Sequence, residues 1–147
     1  NLAAEIERRL GLQAKGEMVP FAVIDKRTNQ AAGMTTYCRL DQANRRLEIG
    51  YTWYRQNCQR TALNTECKLM LLRHAFEVLN CASVEFRTSA FNFTSRKAIE
   101  RLGAKLDGVL RNARILANGA IGDSYVYSIL NNEWAMVKTN LEYKLQR

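Results

Sequence analysis

The sequence contains one histidine, one proline and four cysteines, none of which form a Cys-x-x-Cys pair. Zinc sites are built from clusters of cysteine and histidine, so the sequence predicts no metal site. Disulfide bonds are not excluded, but a chain of this size does not need them. Cys67 and Cys81 lie in apolar patterns, where a free thiol behaves as a small hydrophobic side chain. We therefore predict a reducing, cytoplasmic environment.

Long hydrophobic runs are also absent. No apolar stretch approaches the roughly eighteen residues that a membrane-spanning helix requires, and no signal-peptide pattern is present. The 147 residues are 47% hydrophobic, which predicts one soluble domain with a substantial core. Twenty-two Lys and Arg residues against fourteen Asp and Glu residues give a net charge of +8. This excess favours anionic partners, among them nucleotides, nucleic acid and acidic protein tails.

Hydrophobic spacing predicts strands and helices that alternate after a leading hairpin. The predicted helices are 3–12, 62–80, 95–102 and 132–145, and the predicted strands are 21–25, 32–39, 46–54, 84–88, 105–116 and 124–130. In the strand 46–54 the apolar residues predicted to share one face are Leu47, Ile49, Tyr51 and Trp53. In the helix 62–80 the polar residues predicted to lie opposite the apolar stripe are Glu66, Lys68, Arg73 and Glu77. The pattern predicts a mixed sheet flanked by helices, an α/β fold of the α+β kind.

The first candidate motif is the segment QRTALNTECK, which follows the strand 46–54 and opens the longest predicted helix. The order of strand, polar turn and helix start suits an anionic ligand, because the first N–H groups of a helix lack internal partners and carry a partial positive charge. A simpler interpretation is an ordinary helix with Thr61 as its N-cap. The segment alone does not decide between them.

The second candidate motif begins at Asn92 and continues through Ser95 and Ala98 to a helix stop at Gly103. Taken alone, it predicts a turn at Asn92 with Thr94 or Ser95 capping a short helix. Its order and spacing relative to the first motif favour a second wall of one binding site.

Together these segments resemble the GNAT superfamily of N-acetyltransferases, and specifically the Rim-type branch of ribosomal-protein N-terminal acetyltransferases. The resemblance covers about residues 21–145. The family loop before the long helix follows (Gln or Arg)-x-x-Gly-x-(Gly or Ala), whereas this chain has Asn57, Arg60 and Ala62 there, so only the last position matches. The following Asn64-Thr65-Glu66-x-Lys68 agrees with this branch.

The resemblance implies a mainly antiparallel twisted sheet and a single acetyltransferase-like domain over residues 1–147. The family normally has a further strand and helix before the first helix of this sequence, and we expect this chain to lack them. Both a complete and an N-terminally truncated domain are compatible with the resemblance.

The resemblance also implies a site for acetyl-CoA as co-substrate. The N–H groups from about Arg60 to Thr65 would hold its diphosphate, assisted by the side chain of Arg55 or Arg60. Asn92 would contact the pantetheine arm, and a backbone N–H near Trp53 or Tyr54 would polarise the thioester carbonyl. The expected cofactor-binding residues are Trp53, Tyr54, Arg55, Arg60, Thr61, Ala62, Leu63, Asn64, Thr65 and Asn92.

Direct acetyl transfer to an amine needs a base for the amine and an acid for the leaving thiolate. An α-amine has a reference pKa of about 7.7–8.0, so a weak base suffices. Glu48, on the strand that leads to the first motif, is the candidate base; the simpler interpretation is a surface carboxylate paired with Arg45 or Arg46. The family's usual tyrosine position is Ile99 here, and Ser95 is the acid that the resemblance implies.

The function that we expect is acetyl-CoA-dependent N-acetyl transfer to a primary amine, either a protein N-terminus or a small molecule. One alternative is a catalytically silent GNAT-like module that binds coenzyme A or a partner. A less favoured alternative is a basic RNA-binding domain, supported by the charge and six tyrosines but lacking an RNA-binding aromatic signature. We expect no membrane partner and no direct nucleic-acid partner. Dimerisation is frequent in this branch, so a homodimer stays open.

Overall fold

The computed structural model describes residues 1–59 and 61–146. Its helices are α1 Leu2–Ala14, α2 Ala62–Arg73, α3 Phe93–Arg101 and α4 Trp134–Leu145. Its strands are β1 Met18–Asp25, β2 Gln30–Asp41, β3 Arg46–Tyr54, β4 Ser83–Ser89, β5 Lys105–Ile115 and β6 Ile121–Leu130. The predicted fold class, a mixed and mainly antiparallel sheet flanked by helices, is confirmed.

The six strands form one sheet in the order β1-β2-β3-β4-β6-β5. All neighbours are antiparallel except β3 and β4, which run parallel. These two strands pair only from Arg46 to Glu48 on β3 and from Ser83 to Glu85 on β4. Beyond that point the described residues of β3 pair with β2 alone, and those of β4 pair with β6 alone. The two strands therefore separate, and we call the opening between 49–54 and 86–89 the crevice.

The hydrophobic core lies between the sheet and helices α2, α3 and α4. Leu72, Ile129 and Leu141 have no exposed side-chain surface, and they join the helices to the sheet in one buried cluster. Helix α1 packs on the opposite face, where it and residues Pro20 to Ala22 of β1 line a shared cavity. One face of the sheet thus carries the core, and much of the other is left open to solvent beside α1.

Helix α2 differs from the prediction at its C-terminal end. The α-helix ends at Arg73 and one turn of π-helix follows, His74–Val78, so the predicted helix 62–80 has two geometries. Just before the change, Tyr37 of β2 donates its hydroxyl hydrogen to the Leu71 carbonyl. This bond ties the helix to the sheet at that point.

Strand β3 contains a bulge that the alternating pattern did not predict. Tyr51 has a φ of 52°, and the pairing of β3 with β2 shifts register at this point. Ile49 is buried in the core, but Tyr51 and Trp53 are 54% and 49% exposed. Thr52 and Tyr54 instead contact side chains of α2. The prediction of one common apolar face is therefore wrong beyond Ile49, because the extra residue reverses the alternation.

Candidate active site

The crevice between β3 and β4 brings the two sequence motifs to the same edge of the sheet. Because the strands are parallel, their C-terminal ends lie side by side. Strand β3 leads into the start of α2, and β4 leads into the start of α3. The two helix N-termini therefore flank the mouth of the crevice, while the pair Glu48–Glu85 closes its inner end.

The start of α2 is both capped and partly open. The Thr61 hydroxyl accepts a hydrogen bond from the Leu63 N–H at 3.3 Å and donates one to the Cys58 carbonyl at 2.7 Å. The interpretation of Thr61 as N-cap is therefore confirmed. Its carbonyl accepts the first intrahelical bond, which comes from the N–H of Thr65. By helix geometry, Ala62 and Asn64 have N–H groups without an intrahelical acceptor, whereas the Leu63 N–H, also predicted to hold the diphosphate, is bonded to Thr61.

The predicted set also includes residues that the structure places elsewhere or does not describe. Arg60 lies outside the described residues. The side chains of Trp53 and Arg55 line a separate cavity of about 310 Å³ under α1, so at Trp53 only the backbone is left for the predicted role in the crevice. The structure does not bring the Arg55 side chain into the crevice.

A polar cluster lies under the first two turns of α2. The Tyr54 hydroxyl donates to Asn64 Oδ1 at 2.9 Å, and Lys68 Nζ donates to Asn64 Oδ1 and Thr52 Oγ1, each at 3.4 Å. Lys68 is only 7% exposed. The predicted position opposite the apolar stripe is therefore wrong, and Met70, predicted for that stripe, is exposed. Burial lowers the pKa of Lys68 to about 8.

Lys68 is the residue that sequence reasoning missed. Its spacing of four from Asn64 was visible in the sequence, since residues at i and i+4 meet on one side of a helix. That signal does not say which side faces the sheet. The bulge in β3 turns Thr52 toward α2, and without it Lys68 would have no hydroxyl partner there.

Glu48 lies at the inner end of the crevice and is 7% exposed. Its Oε1 accepts a hydrogen bond from Arg39 Nε at 2.8 Å, and Arg87 Nε lies 3.6 Å from the same oxygen. The interpretation as a surface carboxylate paired with a sequence neighbour is therefore wrong, and Arg46 pairs instead with Glu85. Burial raises the pKa of Glu48, an effect that Arg39 and Arg87 partly offset.

Gly50 makes room for the second carboxylate oxygen of Glu48. A Cβ at this position would lie 2.8 Å from Glu48 Oε2. The nearby Cys38 has its pKa raised to about 12 by burial and by Glu48, so its thiol stays protonated. A cleft of about 650 Å³ opens on the same side of the sheet, with Arg39, Glu85 and Arg87 in its wall. Glu48 does not itself line this cleft, but its two partners Arg39 and Arg87 do.

Asn92 is itself the N-cap of α3. Its Oδ1 accepts a hydrogen bond from the Ser95 N–H at 3.1 Å, so the expectation that Thr94 or Ser95 caps this helix is wrong. The Asn92 side chain is exposed and Ser95 is half-buried. Ile99 is buried in the core. The proposed roles of Asn92 and Ser95 remain predictions.

Comparison with known proteins identifies the family. Residues 1–105 match the family model described as an acetyltransferase (GNAT) domain. The chain is 30% identical to the uncharacterized N-acetyltransferase p20 of Bacillus licheniformis over 124 residues, which are 84% of this chain and 68% of that protein. This chain belongs to the GNAT acetyltransferase family. This chain is also 34% identical over 102 residues to YdaF of Bacillus subtilis (strain 168), which is named as a candidate ribosomal N-acetyltransferase. That match covers 69% of the chain and 55% of YdaF.

Solved structures agree with this assignment to the GNAT family. A GCN5-related N-acetyltransferase from Brucella melitensis superimposes with a TM-score of 0.86 at 30% identity, over 95% of this chain and 63% of that one. Another acetyltransferase crystal structure gives the same TM-score at 37% identity, over 97% of this chain and 72% of that one. The predicted family, fold and acyltransferase class are therefore confirmed. None of the described helices is long and apolar enough to cross a membrane.

Proposed function

We propose that this GNAT chain transfers the acetyl group of acetyl-CoA directly to a primary amine, either a protein N-terminus or a small molecule. The observation that carries the proposal is the crevice. It has free helix N–H groups at its mouth and a buried carboxylate, Glu48, at its inner end. These are the two features that a thioester donor with a diphosphate and an amine acceptor need at opposite ends of one channel.

The crevice suits an extended ligand with amide groups. Residues 49–54 of β3 and 86–89 of β4 present edges that no described strand pairs. Such edges carry N–H and C=O groups that an extended chain can bond, as an added strand does. The free N–H groups of Ala62 and Asn64, with the positive end of the α2 dipole, suit a diphosphate. Acetyl-CoA would supply the activated acetyl thioester, and Asn92, the N-cap of α3, is the proposed contact for its pantetheine arm.

Glu48 is the proposed base. Its pKa is raised by burial, which moves this carboxylate toward the pKa of an α-amine and makes it a better proton acceptor. Arg39 holds Oε1 in place while Oε2 faces Gly50. Ser95, in the first turn of α3, is the proposed donor of a proton to the leaving thiolate. Attack by the amine requires no covalent intermediate on the protein.

The acceptor would approach through the 650 Å³ cleft. Its wall carries both signs of charge, with Asp41 and Asp107 beside Arg39 and Arg46. Carboxylates attract a cationic amine, and arginines suit a carbonyl or carboxylate oxygen nearby. A protein N-terminus has both a cationic amine and a neighbouring carbonyl oxygen. The name of YdaF points to ribosomal proteins as the first acceptors to test.

The test has two stages. Acetyl-CoA should raise the melting temperature, because a ligand at about 100 times its Kd stabilises the native state by about 2.7 kcal/mol. Turnover is then measured with peptides of different N-terminal residues and with small amines, using Glu48→Gln as the impaired reference. Stabilisation with no turnover on any acceptor would indicate the silent GNAT-like module instead. No stabilisation at millimolar acetyl-CoA would refute the coenzyme site itself.

A further inference from the structure

Lys68 is a buried cation with no anionic partner among the residues that the structure describes. Its ammonium contacts two neutral oxygens, Thr52 Oγ1 and Asn64 Oδ1, both at a long 3.4 Å. A buried lysine ordinarily has a carboxylate partner, because removing the charge from water is costly. An apolar side chain of similar length would fill the same space without that cost. Packing of the core therefore does not explain why this position carries a charge.

The position of the ammonium relates it to the mouth of the crevice. Asn64 is in the first turn of α2, and its own N–H is one of the two free amides described above. Thr52 lies four residues beyond Glu48 on β3, which corresponds to roughly 13 Å along a strand. The charge is thus close to the helix start and distant from Glu48 at the inner end.

We infer that Lys68 is the internal counter-charge for the diphosphate of the coenzyme and sets the preference of this site for an anionic donor. The inference rests on the proposed coenzyme site. Lys68 would act through the start of α2, adding a full positive charge behind the partial charges of the free amides. In a poorly solvated interior such a charge acts over several ångströms without direct contact.

The groups around Lys68 do not neutralise it. Tyr54 on β3 donates to the same Asn64 oxygen as Lys68, and Cys67 is the residue before it on α2; burial raises the pKa of both Tyr54 and Cys67. Both stay uncharged near neutral pH. The Lys68 pKa of about 8 in the free protein should rise when an anion binds nearby. By linkage, affinity for the diphosphate is then constant at pH values below 8 and declines as pH rises above that value.

The experiment compares two ligands on three proteins. Coenzyme A carries the diphosphate, and pantetheine carries the same thiol arm without phosphate. Their dissociation constants are measured by calorimetry on the wild type, on Lys68→Met and on Lys15→Met. The last is the matched control, because Lys15 is exposed at the end of α1 and its loss changes the net charge equally.

We expect Lys68→Met to weaken coenzyme A binding roughly tenfold and to leave pantetheine binding unchanged. Lys15→Met should change neither. Between about pH 7 and pH 9 the wild-type Kd for coenzyme A should increase, and this dependence should be lost in Lys68→Met. The free Lys68→Met protein should melt no lower than the wild type, since replacing an unpaired buried charge by an apolar residue is neutral or stabilising.

The outcomes separate this inference from the proposed function. Wild-type protein that does not bind coenzyme A refutes the coenzyme site. If Lys68→Met binds coenzyme A with the wild-type Kd, the role of Lys68 as counter-charge is refuted and the coenzyme site is not. Equal weakening of coenzyme A binding and pantetheine binding would assign Lys68 to the shape of the crevice and not to the diphosphate. Each of these results contradicts the inference.

Discussion

Replacing Gly50 by alanine tests the position of the Glu48 carboxylate without removing it. The new Cβ would lie 2.8 Å from Glu48 Oε2 and 3.5 Å from Cys38 Sγ. To reach an ordinary van der Waals separation of 3.4 Å the carboxylate must move by roughly 0.6 Å, since the Cβ is fixed by the strand. The movement is opposed by the 2.8 Å bond from Arg39. The carboxylate is flexible enough to yield, but it leaves the position that the fold gives it.

We expect kcat to fall roughly 10-fold to 100-fold in Gly50→Ala, because displacements of this order misplace a catalytic group. The Kd for acetyl-CoA should not change, and the free energy of unfolding should change by no more than about 1 kcal/mol. Gly122→Ala is the matched control, since a Cβ there meets nothing within 4 Å. Single-turnover rates and urea unfolding measure the two quantities. An unchanged rate in a folded Gly50→Ala protein would refute Glu48 as the base.

Three further changes test other parts of the site. Glu48→Gln should lower kcat roughly 100-fold. It should also flatten the pH dependence of stability, because the raised pKa of Glu48 makes wild-type stability fall as pH rises above 4.5 through the folded-state pKa. The same pH dependence of urea unfolding in the wild type and in Glu48→Gln would contradict this. Ser95→Ala should slow turnover with little effect on the Kd for acetyl-CoA, and an unchanged kcat would remove its role as acid. Gly33→Ala places a Cβ 2.0 Å from the Trp53 carbonyl oxygen, so calorimetry should show a melting temperature lower by roughly 10 °C. An unchanged melting temperature would contradict the close approach of β3 to Gly33.

The sequence was sufficient for the elements that local periodicity controls. Strand β3 has the predicted bounds, and α2 starts at Ala62 as expected. The turn before α3 was predicted correctly, but the N-cap of α3 was predicted to be Thr94 or Ser95. Asn92 has a short polar side chain that can cap a helix from the preceding position, and only the backbone geometry shows that it does so.

The burial of charged groups could not be predicted from the sequence. Glu48 alternates with apolar neighbours on β3, a pattern typical of a solvent-facing residue. It is buried because Arg39 and Arg87 lie over it, and these arginines come from two other strands. The burial of Lys68 on α2 is likewise not indicated by its neighbours in the sequence. Which neighbours meet at a given point depends on strand order and on the bulge at Tyr51, and neither leaves a local signal.

The joint between β3 and β4 has a mechanical consequence. Among the residues that the structure describes, three ladder pairs join the half-sheet β1-β2-β3 to the half-sheet β4-β6-β5, and the last of these pairs sets two carboxylates, Glu48 and Glu85, side by side. Each half is internally held by long antiparallel ladders, so bending should concentrate at the short seam. The shared hydrophobic core still spans both halves, so we expect any change in the width of the crevice on ligand binding to be small and to occur at this seam.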